Sequence, residues 1–174
     1  MTVRLSGDQW ARALHDFERT AFRFECQGTY HEPYEQQALR QHLAGDEPDL
    51  TYLRTWLDDV RRGTDAGRRY SRVRVVTDPI TDYLRFELAV TPHNEAAGED
   101  VRVLSAARAA ELGPLPGTDF WLFDDRLVTV MHFDEREGFQ YADAVTTPDQ
   151  VTQFLEIRER VWDAAVPFRE FVMT

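Results

Sequence analysis

Lysine is absent from this chain of 174 residues, in which arginine is the only strongly basic residue. The absence excludes proteins whose chemistry needs a lysine: Walker A nucleotide-binding proteins, enzymes that form a Schiff base on lysine, and enzymes with a lysine general base. Asparagine occurs once and isoleucine twice. Because the codons of lysine, asparagine and isoleucine are AT-rich, this composition indicates a GC-rich bacterial genome.

Cysteine and long apolar runs are also scarce. Cys26 is the only cysteine, so no intrachain disulfide can form, and we expect a cytoplasmic protein. No apolar run approaches the ~20 residues that span a membrane, and the first residues lack the apolar segment of a secretory signal. The net charge of −11 argues against direct binding to nucleic acid, which depends on neutralising phosphates. We therefore expect neither a membrane nor a nucleic acid as partner.

Arginines concentrate in one segment despite the acidic balance. Two interpretations stay open: a solvated basic loop that runs into a strand, or a patch for phosphate or an acidic partner. The arginines concerned are Arg61, Arg62, Arg68, Arg69, Arg72 and Arg74.

The hydrophobic pattern predicts one α/β (α+β) domain over residues 1–174. Its first part, 1–66, is mostly helical, with helices near 7–20, 33–44 and 49–62 and one strand near 21–26. The second part, 67–174, begins with a strand at 70–76, a helix opened by Asp78 and Pro79, and a strand at 100–104. These form a βαβ unit. The helical pattern ends at Pro92, and the segment PHNEAAGE is a turn or a short helical continuation. A short helix, a three-stranded antiparallel meander and a final helix over 148–171 follow. The expected sheet is mixed and flanked by helices.

Histidine and carboxylate residues supply the candidate catalytic groups. His93, Glu95 and Glu99 cluster before the second strand of the βαβ unit, where H-x-E could bind a metal. No second histidine has helical spacing and no C-x-x-C is present, so we expect no metal and no cofactor. His132 lies alone on a strand that places it with Val128 and Val130, which is typical of a packed or edge residue.

A second set of residues could bind a ligand or partner. Sites in α/β sheets gather at the carboxyl ends of parallel strands, which points to Asp78 and Asp82 at the start of the crossover helix. A helix N-terminus attracts anions, and these two acids would oppose one. The other candidates for this set are Arg72, Arg74, Arg85 and Trp121. Cys26 is interpreted as a core residue.

The stretch DFWLFDDRLVTVMHFDEREG, residues 119–138, is rich in acids. Aspartate is common in turns because its side chain binds backbone N–H groups. We therefore interpret the acids, including Asp119 and Asp124, as marking the strand ends and turns of the meander, and Trp121 as an anchor of the sheet.

Several phrases together resemble a domain family of unknown function from actinobacteria such as Streptomyces, often encoded beside helix-turn-helix regulators. They are RVRVVTDPITDYLRFEL, AAGEDVRVL, DFWLFDD and VWDAAVPFREF, and the N-terminal FRFECQGTYHEPYEQQALRQHLAGD fits as well. The resemblance covers nearly the whole chain. It implies a protein partner of the helix-turn-helix class.

The region from Arg72 onward also resembles half of a phospholipase D-like fold. Enzymes of that fold carry an H-x-K-x4-D motif with histidine as nucleophile. A chain without lysine cannot complete the motif, and His132 is followed only as H-x-D. The resemblance thus implies a copy without that chemistry, and non-catalytic relatives of the fold serve as ligand-sensing or interaction modules.

Three functions follow as hypotheses. The first is a non-catalytic regulatory or partner-binding protein that acts with a helix-turn-helix transcription regulator, since an acidic surface suits a basic partner; a homodimer is compatible with it. The second is a hydrolase or phosphodiesterase that uses His93, Glu95, Glu99 or His132 with Arg72 and Arg74. The third is the neutralising component of a toxin–antitoxin-like pair. An enzyme predicts a deep pocket with convergent polar groups and a perturbed pKa, whereas a partner-binding protein predicts an exposed apolar patch.

Overall fold

A computed structural model describes residues 3–171, and its strands form one mixed sheet. The strands are β1 Val3–Leu5, β2 Thr20–Glu25, β3 Arg69–Val76, β4 Glu99–Ser105, β5 Phe120–Phe123, β6 Leu127–Phe133, β7 Phe139–Val145 and β8 Val166–Pro167. Their order is β1-β7-β6-β5-β2-β3-β4-β8. The strands β2, β3 and β4 are parallel, and all other neighbours are antiparallel. The predicted fold class is confirmed, with its βαβ unit and C-terminal meander.

Within residues 3–171, six α-helices flank the sheet: α1 Gly7–His15, α2 Gln36–Leu43, α3 Arg54–Asp65, α4 Asp82–Ala97, α5 Ala106–Glu111 and α6 Pro148–Ala164. The helices α5 and α6 pack on one face, over a core that includes Phe24, Val73 and Phe120. The helices α1, α3 and α4 lie on the other face, and α2 packs on α4. Among the described residues, no helix is long and apolar enough to cross a membrane.

The alternation of side chains along the central strands separates two environments. In β2, Phe22 and Phe24 point into the core beneath α6, as predicted, whereas Arg23 and Glu25 point to the opposite face. Cys26 follows the strand and packs against the same core as the two phenylalanines. Burial raises the pKa of its thiol, which agrees with a core residue rather than a nucleophile.

The crossover helix differs from its prediction at its start, and at its end it takes the helical continuation, one of the two predicted alternatives. It begins at Asp82 with Thr81 as N-cap, whose hydroxyl accepts the Leu84 N–H, so the start expected at Asp78 and Pro79 is wrong. It continues through Pro92 to Ala97, where Gly98 ends it at φ 109°. The helix tolerates the proline because its inner face is buried on both sides of residue 92, so packing outweighs one lost backbone hydrogen bond.

The last helix is shorter than predicted. It ends at Ala164, and Val166–Pro167 adds to the sheet beside Val103 and Arg102. A proline is tolerated there because β8 is an edge strand. The sequence pattern does not predict the edge strands β1 and β8, since three and two residues are too few for a recognisable alternation.

The mostly helical first part shares the sheet with the second part. Its strand β2 lies between β5 and β3, near the middle of the sheet. On both sides of β2, residues of the first part therefore lie next to residues of the second part, and a cavity forms where the two parts meet.

Candidate functional site

A cavity of about 590 Å³ lies between the sheet and the helices α1, α3 and α4. Its floor comes from β2, β3 and β5, and one end is bounded by β6 and β7. The loop between β2 and α2 closes another side with Tyr30, Glu32, Tyr34 and Glu35. The volume is in the range of pockets that hold small molecules.

Glu25 is the centre of a charged network beneath the cavity. Its carboxylate lies 3.1 Å from Nε of Arg23, 2.8 Å from Nη1 of Arg72 and 2.8 Å from Nε of Arg74. Glu25 is only 4% exposed. Burial by itself raises the pKa of Glu25, but the positive charges of Arg72, Arg74 and Arg23 outweigh burial and hold the pKa well below its ordinary range.

Each arginine of this network has a second carboxylate partner. Nε of Arg72 donates to Glu99 over 2.8 Å, and Nη2 of Arg74 lies 2.6 Å from Glu87 on α4. The other oxygen of Glu99 accepts from the side-chain amide of Asn94 over 2.9 Å. The buried positive charges are thus compensated within the protein.

Strand register explains why these charges meet. In the parallel pairing, Arg23 stands opposite Arg72, and Glu25 opposite Arg74. The phrase RVRVV alternates arginine with valine, so Arg72 and Arg74 share the cavity face while Val73 and Val75 enter the opposite core. A carboxylate on β2 between two arginines of β3 is the arrangement that keeps the buried face electrically balanced.

Asp119 anchors the loop that closes the cavity. It is fully buried and accepts from the Tyr30 hydroxyl over 2.7 Å, the Cys26 backbone N–H over 2.9 Å and Arg23 over 3.2 Å. Burial raises the pKa of Asp119, although Arg23 opposes the change. The sequence pattern predicts only an ordinary strand-end acid at this position. The available signal was its alternation with Trp121 and Phe123, which places it on their face.

Asp124, by contrast, has the expected turn role. It accepts the backbone N–H groups of Glu18, Arg19 and Thr20 over 2.7–2.9 Å. With Asp125 it occupies the left-handed region, at φ 53° and 58°, as a tight hairpin turn requires.

Glu35 is a buried carboxyl at the side of the cavity, 5% exposed. It accepts a hydrogen bond from the Tyr83 hydroxyl over 2.7 Å. Burial first, and then the negative charge of Glu87, raise the pKa of Glu35 to about 8. The carboxyl is therefore mostly protonated at neutral pH when the cavity holds no positive charge.

Aromatic rings form the walls. Trp56 and Trp121 meet edge to face at 5.8 Å, and the Arg23 guanidinium lies 5.3 Å from the Trp121 ring. Trp10 packs against Phe139 at 5.0 Å between ring centroids. Among the described residues, the buried indole N–H of Trp121 has no hydrogen-bond partner, and neither has the Tyr52 hydroxyl. A cavity with aromatic walls and unpaired polar atoms is suited to binding an organic ligand.

The predicted site residues separate into two groups. Arg72 and Trp121 line the cavity, and Arg74 and Glu99 belong to the network beneath it. Asp78, Asp82 and Arg85 are exposed and lie outside the cavity lining, as does His93. Glu95 also lies outside, 3.1 Å from Arg169.

His132 lies on the opposite face of the sheet from the cavity lining. It shares that face with Val128 and Val130, as predicted, stacks on Tyr141 at 4.5 Å and has Nε2 2.9 Å from Asp143. The structure therefore does not bring His132 together with Arg72 and Arg74. Of the residues named in the hydrolase hypothesis, Glu99 is the one that contacts Arg72.

The arginine-rich segment does not form one patch either. Arg61, Arg62 and Arg69 are exposed, whereas Arg72 and Arg74 are buried in the network. Within residues 3–171, no group of three or more histidine, cysteine, aspartate or glutamate side chains is placed to hold a metal ion.

Comparison with protein families gives one match, to a domain of unknown function (DUF6879), over residues 8–173. The chain belongs to the DUF6879 family. No curated protein matches its sequence.

The DUF6879 chain is similar in structure to NucT from Helicobacter pylori, with a TM-score of 0.55 and 8% sequence identity. The match covers 96% of this chain and 97% of that chain. The fold is thus phospholipase D-like. The likeness was predicted for the region from Arg72 onward, and the match also includes the mostly helical first part of the chain.

Proposed function

We propose that this DUF6879 domain is a non-catalytic regulatory module that binds a small molecule in the cavity and acts through a protein partner. The observation that carries the proposal is the cavity itself, with aromatic walls above a floor in which each arginine lies next to two carboxylates. Such a floor is rigid and its charges are already compensated, which suits recognition of a ligand.

The cavity and the raised pKa of Glu35 meet the expectation stated for an enzyme, and the described residues show no large exposed apolar patch. What favours binding over catalysis is the kind of side chain in the lining. Nucleophilic catalysis needs a serine, cysteine, histidine or comparable group next to a base. Cys26 lies outside the lining, and so do His93 and His132. The only histidine of the lining, His15, has a half-exposed side chain 3.6 Å from Asp59.

The partner of the proposed module is a helix-turn-helix regulator. The support is the acidic balance of the chain, which favours a partner with a basic surface. The large exposed apolar residues among those described are Val3 on β1, Tyr34 in the loop before α2, Leu43 at the end of α2 and Val166 on β8. Recognition of the partner would therefore depend on charge and on the ligand-bound shape more than on one apolar patch.

Co-purification tests the ligand part of the proposal. The protein is purified from its native host, denatured, and its small molecules are identified by mass spectrometry. Thr55 lines the cavity and is exposed, so Thr55→Trp would obstruct the cavity without opening the core. Thr152→Trp introduces the same ring on exposed α6 as the matched control. A compound that accompanies the wild type and Thr152→Trp but not Thr55→Trp is expected; its equal presence in both variants, or its absence throughout, would contradict the proposal.

Turnover assays test the non-catalytic part. The phospholipase D-like fold makes a phosphodiesterase the natural rival, and bis-p-nitrophenyl phosphate is a general substrate for that class. We expect no hydrolysis above that of a heat-denatured sample. Hydrolysis that disappears in Glu35→Gln or Arg72→Gln would show that the cavity is an active site.

Affinity capture from the same host tests the partner. Recovery of a helix-turn-helix protein that is lost from Thr55→Trp but retained by Thr152→Trp would link the partner to the cavity. Recovery of a toxic protein instead would support the toxin–antitoxin-like alternative.

A further inference from the structure

The cavity lining carries an excess of acidic groups. Two arginines, Arg23 and Arg72, face five carboxyls: those of Glu25, Glu32, Glu35, Asp59 and Glu87. The layer beneath adds one arginine, Arg74, and the carboxyls of Glu99 and Asp119. The whole site thus contains seven carboxyls and three arginines, with His15 at the rim.

An anionic ligand would find no arginine without carboxylate partners in this site, although Nε of Arg23 and Nη1 of Arg74 make no hydrogen bond among the described residues. Arg72 is held by Glu25 and Glu99, Arg23 by Glu25 and Asp119. An anion would have to displace a buried carboxylate from its partner, and breaking such a buried pair is strongly unfavourable. The arginines therefore neutralise the floor rather than offer a binding group.

Two carboxyls remain available to a cation. Glu32 and Glu35 have no cationic partner among the described residues. Glu32 accepts only the Phe139 backbone N–H over 3.2 Å, and Glu35 only the Tyr83 hydroxyl over 2.7 Å. Both lie on the loop that closes the cavity, beside Tyr34, which packs on Tyr52 at 6.0 Å. Carboxylates next to aromatic faces form a favourable environment for an ammonium group.

A second observation is independent of the acids. Trp121 is 4% exposed, lines the cavity, and its indole N–H has no partner in the part of the chain that the structure describes. A buried N–H without an acceptor is costly, so this group points to an acceptor atom or a π face supplied by something that occupies the cavity. Trp10 and Trp56 line the same space. A flat ring fits between such walls.

We infer that the cavity binds a protonated amine carried on a flat aromatic body, with the ammonium at Glu32 and Glu35 and the ring against Trp121. The inference rests on the proposed ligand-binding function and names the class of ligand. It is separable from that function, because a cavity that binds neutral or anionic molecules would still be a ligand site.

Three probes of matched shape test the charge of the ligand: tryptamine, 3-ethylindole and indole-3-propionate, which are cationic, neutral and anionic at pH 7. Binding is followed through the indole N–H signals of the protein in ¹⁵N–¹H correlation spectra. Trp162 packs against Phe22 on the opposite face and serves as the internal control. We expect tryptamine to shift the Trp121 signal, to leave that of Trp162 in place, and to bind at least about tenfold more tightly than the other two probes.

Charge-neutral variants locate the ammonium. Glu35→Gln and Glu32→Gln should each weaken tryptamine binding by about tenfold while affinity for 3-ethylindole stays the same. Glu135→Gln, on the exposed hairpin turn, is the matched control and should change neither. The ammonium pairs with the ionised carboxylate, so binding releases the proton of Glu35. Tryptamine affinity in the wild type should therefore rise toward pH 8, and Glu35→Gln should abolish that rise.

The outcomes separate the inference from the proposed function. If 3-ethylindole or indole-3-propionate shifts Trp121 and binds as tightly as tryptamine, the cationic assignment is wrong and the ligand site stands. If no probe shifts Trp10, Trp56 or Trp121 at millimolar concentration, the assignment of an aromatic amine is also wrong, and the co-purified compound alone decides the proposed function.

Discussion

Neutralising Glu25 should destabilise this protein more than neutralising any exposed carboxylate. Glu25→Gln keeps the size of the side chain but removes the negative charge shared by Arg23, Arg72 and Arg74. Each arginine retains one other carboxylate partner, which limits the loss of stability. The amide of the new glutamine also turns a donor toward guanidinium donors, so part of the network is left unsatisfied.

The expected magnitude follows from the burial of the network. Removing one partner of a buried ion pair costs about 3–5 kcal/mol, against a total stability of about 5–15 kcal/mol for a domain. For a chain of this length, about 2–4 °C in Tm corresponds to 1 kcal/mol, so the melting temperature should fall by about 6–20 °C. Glu159→Gln, exposed on α6, is the control and should change stability by less than about 0.5 kcal/mol.

Urea unfolding and thermal melting of the two variants at neutral pH measure the difference. Acid titration adds an independent readout. The folded-state pKa of Glu25 lies below its unfolded value, so its stabilisation is present above pH 4.5 and is lost as the pH falls below it. The stability of Glu25→Gln should therefore fall less steeply than that of the wild type as the pH is lowered. A Glu25→Gln protein as stable as Glu159→Gln would refute the view that paired charges organise the floor of the cavity.

Two further substitutions probe the cavity and the helix above it. The folded-state pKa of Glu35 is raised, so the stability that its protonated form contributes is fully present below pH 4.5 and is lost as the pH rises to about 8. In urea unfolding, the free energy of unfolding of the wild type should fall by about 1.4 kcal/mol per pH unit across this range because of Glu35, and Glu35→Gln should lack this fall. An equal slope in both proteins would contradict the buried position of Glu35. In Gly63→Ala, the new methyl group collides with the hydroxyl and ring of Tyr70, so thermal unfolding should report a loss of about 1–3 kcal/mol, whereas Gly117→Ala meets open space and should be near neutral. Equal effects at the two glycines would count against the packing of α3 on β3.

Several elements were predictable because their signals are local. The alternation in RVRVV and LVTVMHF, and the β-branched and aromatic content of these runs, identified β3 and β6. The βαβ unit followed from strand, helix and strand in succession. The prediction failed at the start of α4, where Thr81 and not Asp78 is the N-cap, and where strands are too short to show a pattern, as in β1 and β8. After Pro92 the sequence left a turn and a helical continuation open, and packing decided for the helix.

The candidate site was only partly predictable. Arg72, Arg74, Glu99 and Trp121 were among the candidates, but the roles of Glu25, Glu35 and Asp119 were not recognised. The local sequence does not distinguish an acidic residue in a turn from an acidic residue in a buried network. What distinguishes them is the partner, and the partner of Asp119 lies 96 residues away at Arg23.

The sequence by itself excluded one kind of chemistry, because a chain without lysine cannot carry the complete H-x-K-x4-D motif. The alternation in β3 also places two arginines on one face of the strand. Only the tertiary structure decided whether those arginines are free to bind an anion. Placing β2 between β5 and β3 brings Glu25 and Asp119 to the same face, because neighbouring strands in register present their side chains to a shared space. The arginines are thereby neutralised from within, and the cavity above them is left acidic and aromatic.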